Sequence, residues 1–144
     1  MKLAIDNNAL AEDFFSDACI MGIVAPIKDY RFCWLLNQAM SCDFRRNSSL
    51  DIEMIKKGRK YYFSIYEYSP PGFFIDHYIY NNQFDGEYLL PEFRHLDFLW
   101  LIKGSDIEKE YISYLQNAIK NISGVQLITE LDKSKIRNKS HLVF

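Results

Sequence analysis

The sequence predicts a single α+β domain in which two helices pack on one face of a mostly antiparallel sheet. Three features predict this class: an early apolar run followed by a helical segment, a central stretch with alternating apolar residues, and a second helical segment followed by a short strand. Their order, β-α-β-meander-β-α-β, is that of a ferredoxin-like fold or a close variant. The chain has 144 residues, 49% hydrophobic and 25% charged, which fits one globular domain.

The first third of the chain supplies a buried strand and an unusual helix. Residues 18–25 are all apolar or glycine, as expected of a strand that is buried on both faces. Pro26 ends this strand, and the segment 27–40 then carries apolar residues around most of a helical circumference. A helix of this kind is buried or covered by a partner. We therefore expect either a subunit interface that includes Trp34, or an N-terminal arm formed by residues 1–15 that covers the second apolar stripe.

The central segment predicts antiparallel strands with one tyrosine-rich face. Residues 61–68 are aromatic and β-branched, which favours a strand, and residues 73–80 form its return strand after a proline-glycine turn. Residues 96–103 predict a further strand. Because side chains alternate along a strand, the tyrosines should face outward, away from the helices. The expected binding or interface residues on this surface are Tyr62, Tyr66, Tyr68 and Tyr78.

The second helix and the last strand complete the predicted domain. Ser105 and Glu108 have the spacing of a capping box, and apolar residues recur at helical spacing up to Ile122. Gly124 should end this helix, and residues 125–131 predict the last strand. We expect the domain to span residues 1–132, and residues 133–144 to form a basic, mobile tail.

Charge and cysteine content bear on partners and location. The net charge is −2, with 17 basic and 19 acidic residues, so the basic surplus typical of nucleic-acid binding is missing. The three cysteines have no CxxC spacing, which indicates reduced thiols rather than a metal or redox site. The first residues lack the apolar core of a signal peptide, and no apolar run approaches the ~18 residues of a membrane span. We expect a cytoplasmic protein without membrane attachment, cofactor or metal.

One segment resembles a known family. Residues 90–98 read LPEFRHLDF. This segment resembles the motif of the bacterial I-P-E-x-x-x-V-D-Y family, a group of small proteins of unknown function. Pro91, Glu92 and Asp97 match the motif, whereas Leu, Leu and Phe stand at its Ile, Val and Tyr positions. The resemblance covers most of the chain, over residues 17–131, and implies a shared fold without implying any activity.

The motif region also offers the best candidates for chemistry. His95 and Asp97 share one face of the predicted strand. If this strand pairs with the strand over residues 73–80, His77 and His95 could approach each other, with Glu92 or Asp97 as a third group. Such a cluster would suit general acid–base catalysis or a metal. However, no HExxH, HxH or nucleophile motif is present. The alternative interpretation is that Glu92 and Asp97 fix the geometry of the loop.

These observations predict a non-enzymatic protein-interaction or small-ligand-binding module that acts as a homodimer. Two other hypotheses stay open. The first is an enzyme that uses Glu92, His95 and Asp97. The second is binding of single-stranded nucleic acid on the tyrosine-rich face, because residues 59–66 are similar to the aromatic strand of RNA-recognition modules. The net charge and the missing motif glycine argue against this second hypothesis.

Overall fold

The computed structural model describes residues 7–144, which form three α-helices, ten β-strands and several 3-10 turns. The helices are α1 (Asn7–Phe14), α2 (Asp29–Met40) and α3 (Lys109–Lys120). The strands are β1 (Ala18–Val24), β2 (Arg45–Arg46), β3 (Ile52–Lys56), β4 (Arg59–Phe63), β5 (Ile65–Tyr68), β6 (Ile75–Asn81), β7 (Gln83–Phe84), β8 (Glu87–Tyr88), β9 (Phe98–Gly104) and β10 (Leu127–Glu130). Within this range no helix is long and apolar enough to cross a membrane.

The main sheet confirms the predicted fold class. Its six strands lie in the order β10-β1-β9-β6-β5-β2, and every neighbouring pair is antiparallel. The four strands β10-β1-β9-β6, with α2 after β1 and α3 before β10, reproduce the ferredoxin-like arrangement. Strands β5 and β2 extend this core at one edge. The hairpins β3–β4 and β7–β8 pair separately from the main sheet.

Helices α2 and α3 cover one face of the sheet. Phe32 of α2 stacks on Phe98 of β9, with ring centroids 4.5 Å apart. Leu36 and Leu115 pack from the two helices into the same core, over the buried Trp100 of β9. Burial of each such side chain contributes about 1.5–3 kcal/mol to folding. This face therefore holds the principal hydrophobic core.

The other face of the sheet is also covered, which the apolar run over residues 18–25 indicated for β1 but the expected outward-facing tyrosines did not. Phe15 just beyond α1, Phe63 of β4 and the C-terminal Leu142 pack on it in a second core. The buried Tyr80 hydroxyl donates a hydrogen bond of 2.7 Å to the carbonyl oxygen of Leu142. Residues 133–144 thus belong to the fold through buried apolar side chains, in contrast to the mobile tail expected from their charge.

The ends of two predicted elements differ from expectation. The arm expected over residues 1–15 is helical from Asn7, lies on the face opposite α2 and α3, and contacts the C-terminal turn; residues 1–6 lie outside the described range. The capping box predicted at Ser105 does not form. Helix α3 begins at Lys109, and Glu108 at its N-cap makes no side-chain hydrogen bond. Asp106 has a φ of 58°, and this left-handed turn separates Ser105 from the helix.

Candidate functional site

The predicted tyrosine face does not form, because the strand is interrupted at Ser64. Tyr62 lies on β4, which pairs with β3, whereas Tyr66 and Tyr68 lie on β5 in the main sheet. Tyr66 is only 7% exposed and packs beneath the helices, where its hydroxyl donates to Asp29 of α2 at 3.0 Å. Burial and the Asp29 carboxylate raise the pKa of Tyr66 above its ordinary value. Tyr68 is half-buried against the same core.

The remaining predicted interface residues lie apart from one another. Tyr78 packs on the opposite face of the sheet, with its ring 4.8 Å from that of Phe144. Tyr62 stays partly exposed on the β3–β4 hairpin. Trp34 is 55% exposed on α2, and Tyr30, one turn earlier on the same helix, is 66% exposed. Tyr30 and Trp34 thus form an exposed aromatic surface on α2.

The motif carboxylates are engaged in holding loops. One Glu92 carboxylate oxygen accepts hydrogen bonds from the backbone N–H groups of Arg137 and Asn138 at 2.7 and 2.8 Å, and the other accepts from the Asn138 side chain at 2.9 Å. Burial raises the pKa of Glu92, but these hydrogen bonds together bring it below its usual value. Asp97 accepts a hydrogen bond from the backbone N–H of Ala25 at 2.8 Å. Both residues thus stabilise loop geometry.

Glu92, His95 and Asp97 are not brought together as a catalytic cluster. His95 is exposed, and its ring lies 6.2 Å from that of Phe93. In the described part of the chain no hydrogen bond joins any two of the three residues. Pro91 begins a single 3-10 turn after the extended Leu90, as the restricted geometry of proline requires. No group of three or more potential metal ligands occurs among residues 7–144.

Asn82 organises the motif loop, and sequence reasoning did not identify it. It is fully buried just after β6, and its side-chain N–H groups donate to the carbonyl oxygens of Phe93 and Leu96 at 3.1 and 2.9 Å. Its side-chain oxygen accepts from the backbone N–H of Leu90 at 2.9 Å. An asparagine after a strand is usually a turn residue, so its position alone gave no signal of this role.

His77 occupies a second buried polar site, on the helix side of the sheet. It lies on β6 and is 2% exposed. The indole nitrogen of Trp100 donates to His77 Nδ1 at 3.0 Å, and His77 Nε2 lies 3.0 Å from the hydroxyl of Tyr111 on α3. Burial lowers the pKa of His77 to about 4, against a smaller opposing effect of Asp76. His77 is therefore neutral at physiological pH.

A cavity of about 160 Å³ opens over this histidine. It lies between the end of α2, the middle of α3 and the turn between β5 and β6. Its mouth carries two exposed aromatic side chains, Phe73 at 69% and Tyr114 at 63%. Among the described residues, no lysine, arginine, aspartate or glutamate lines it. The lining residues are Met40, Cys42, Phe44, Tyr68, Pro70, Phe73, His77, Trp100, Tyr111, Tyr114 and Leu115.

Two larger grooves offer less specific chemistry. One, of about 610 Å³, runs along α3 past Cys19 of β1. Burial, with a contribution from Glu130, raises the pKa of the Cys19 thiol to about 12, so it is not a reactive thiolate. The other, of about 820 Å³, lies beside Asp97, whose carboxylate already accepts the hydrogen bond from Ala25. The His77 cavity differs from both grooves in that its lining residues are uncharged.

Comparison of the chain with models of protein families, with curated proteins and with solved structures found no match in any of the three.

Proposed function

We propose that this protein is a non-enzymatic small-ligand-binding module and that its binding site is the His77 cavity. The observation that carries the proposal is a buried, neutral histidine at the base of an aromatic-lined cavity. Sites for small molecules are concave and mostly apolar, with a few placed polar groups that fix the orientation of the ligand. The cavity has this composition.

Two side chains of this cavity, His77 and Cys42, could take part in catalysis by their residue type, and neither is suited to it. His77 is held by hydrogen bonds to two neighbours, and its lowered pKa makes it a weak base. Burial raises the pKa of Cys42 at the cavity wall to about 11, so this thiol stays protonated. These features support binding rather than turnover. The alternative of an enzyme based on Glu92, His95 and Asp97 lacks geometric support for a separate reason: Glu92 and Asp97 accept backbone hydrogen bonds from different segments, and His95 is exposed.

The two tryptophans allow a direct test by NMR. Trp100 lines the cavity, whereas Trp34 is exposed on the outer surface of α2. In a screen of small fragments we expect binders to shift the indole N–H resonance of Trp100 and to leave that of Trp34 in place. A Cys42→Phe variant should fill the cavity and abolish these shifts, while Cys42→Ser should preserve them. A diverse fragment set that shifts neither indole, or that binds Cys42→Phe unchanged, would refute the proposal.

A second candidate function is homodimerisation through the outer surface of α2. Tyr30 and Trp34 lie one turn apart and are both more than half exposed, and exposed aromatic patches commonly mark interaction sites. Light scattering over a range of protein concentrations should then show a dimer that Trp34→Ala converts to a monomer. Ile55→Ala, on the β3 strand, removes an apolar side chain that is 66% exposed and serves as the control. A wild-type protein that is monomeric at all concentrations would exclude this assembly.

The family resemblance and the cellular location remain proposals. In support of the I-P-E-x-x-x-V-D-Y resemblance stand the matching residues Pro91, Glu92 and Asp97, each of which has a role in the loops around the motif. A cytoplasmic location is supported by three cysteines that are free in the structure. Binding of single-stranded nucleic acid loses its main support, because Tyr66 is buried and Tyr62 lies on a separate hairpin.

A further inference from the structure

The polar groups at the base of the His77 cavity form a hydrogen-bond chain with a fixed direction. An indole nitrogen can only donate, so His77 Nδ1 accepts from Trp100 and the ring proton lies on Nε2. Nε2–H then donates to the hydroxyl oxygen of Tyr111, which cannot return its own proton to His77. Among the described residues the Tyr111 hydroxyl makes no hydrogen bond except the one it accepts from His77, and Tyr111 lines the cavity. The chain therefore presents one hydrogen-bond donor to an occupant.

The cavity walls set the charge of a suitable occupant. An anion would lose its hydration without a lysine or arginine to compensate, which is costly in an apolar site. A cation could interact with the aromatic rings, but it would meet the positive end of the N–H and O–H dipoles that run from Trp100 to Tyr111. Hydrogen bonds in such a chain polarise one another, which strengthens the terminal donor. A neutral molecule with an acceptor atom fits both constraints.

The size of the cavity limits the occupant further. Its volume is about 160 Å³. A dry apolar cavity of about 150 Å³ accommodates a benzene-sized ring. The exposed Phe73 and Tyr114 at the mouth leave room for a substituent to extend toward solvent. The site thus has space for one aromatic ring and not for a fused ring system held wholly inside.

From these constraints we infer that the ligand is a neutral, single-ring aromatic compound with an acceptor oxygen, and that the Tyr111 hydroxyl donates to this oxygen. The inference rests on the proposed function, since it specifies the ligand class of the same cavity. Tyr111 acts as a specificity determinant, and the hydrogen bond from His77 fixes its orientation.

The test combines two probes with one substitution. Acetophenone carries a carbonyl oxygen, and α-methylstyrene has a methylene group in its place. Dissociation constants would be measured from the Trp100 indole shift in the wild type and in Tyr111→Phe. For each probe, the dissociation constant in Tyr111→Phe is compared with that in the wild type. Because each probe is compared only with itself, the different cost of removing the two probes from water cancels. We expect Tyr111→Phe to weaken acetophenone binding about 2- to 12-fold, the range for one neutral hydrogen bond, and to change α-methylstyrene binding less than about 2-fold.

Tyr68→Phe is the matched control, because Tyr68 lines the same cavity but makes no hydrogen bond to His77. It should affect both probes equally. Equal weakening of both probes by Tyr111→Phe would overturn the inference while leaving the binding function intact. Tighter binding of phenyltrimethylammonium than of acetophenone would also overturn it. If neither probe shifts the indole N–H resonance of Trp100 but other fragments do, the inferred ligand class is wrong. If no fragment shifts this resonance, the proposed function itself fails.

One measurement requires no variant. Nitrogen-15 NMR of the His77 ring should place the proton on Nε2 in the free protein and in the acetophenone complex. A proton on Nδ1 would contradict the direction of the chain and overturn the inference.

Discussion

The buried His77 leads to a specific prediction about acid stability. Its pKa is lowered by burial to about 4, whereas an unperturbed histidine in the unfolded chain has a pKa of about 6.5. Between these pH values the unfolded chain binds a proton that the folded protein does not bind. Protonation therefore favours unfolding, and the contribution of His77 to stability is complete above about pH 6.5 and is lost as the pH falls toward 4.

The magnitude follows from the size of the pKa shift. Each pH unit in this window corresponds to about 1.4 kcal/mol, so the whole effect is about 3 kcal/mol and most of it occurs above pH 4.5. The pKa values of the Glu92 and Asp132 carboxylates are lowered in the folded protein. These carboxylates therefore lose their contributions to the free energy of unfolding at a more acidic pH than His77 does. The free energy of unfolding between about pH 7 and about pH 4.5 therefore reports mainly on His77.

Urea unfolding of three proteins would check this prediction. His77→Gln keeps a hydrogen-bond acceptor and an N–H donor at this position, but it cannot titrate. We expect the wild type to lose about 2–3 kcal/mol over the window and His77→Gln to lose much less. His95→Gln removes an exposed histidine and should follow the wild-type profile. A His77→Gln protein with the wild-type pH dependence would refute the reasoning.

Three further substitutions test the parts of the fold that the structure revealed. Asn82→Ala should lower the free energy of unfolding by about 3 kcal/mol or more, because it leaves buried backbone groups unpaired, whereas Asn81→Ala next to it should cost less than about 1 kcal/mol. Leu142→Ala should cost about 2–5 kcal/mol in urea unfolding; a negligible cost would mean that residues 133–144 do not pack in solution. Gly22→Ala should cost about 1–3 kcal/mol, since its Cβ would overlap the side chain of Leu96. The combined cost with Leu96→Ala should be below the sum of the single costs; strict additivity would contradict this contact.

Periodicity and composition were enough to predict the fold class. The apolar run that became β1, the helical segments that became α2 and α3, and the alternation in the central strands together gave the α+β arrangement that the structure shows. These signals are local, because hydrophobic spacing within one element shows which side of it is buried. The exposed aromatic surface around Trp34 could be anticipated for the same reason. The segment that forms α2 carries apolar residues on more of its circumference than one packing face requires.

Only the tertiary structure decided which residues form the sites. The break at Ser64 placed Tyr62 on one hairpin and Tyr66 in the core, although a single alternating strand had been the simpler prediction. The partners of His77 lie 23 and 34 residues further along the chain, on β9 and α3. Local spacing in the sequence predicted β1, α2, β9 and α3, whereas contacts across the sheet and between its layers determined the cavity. The reason is physical: local spacing fixes the direction of a side chain, but the residues it meets depend on strand register and helix packing.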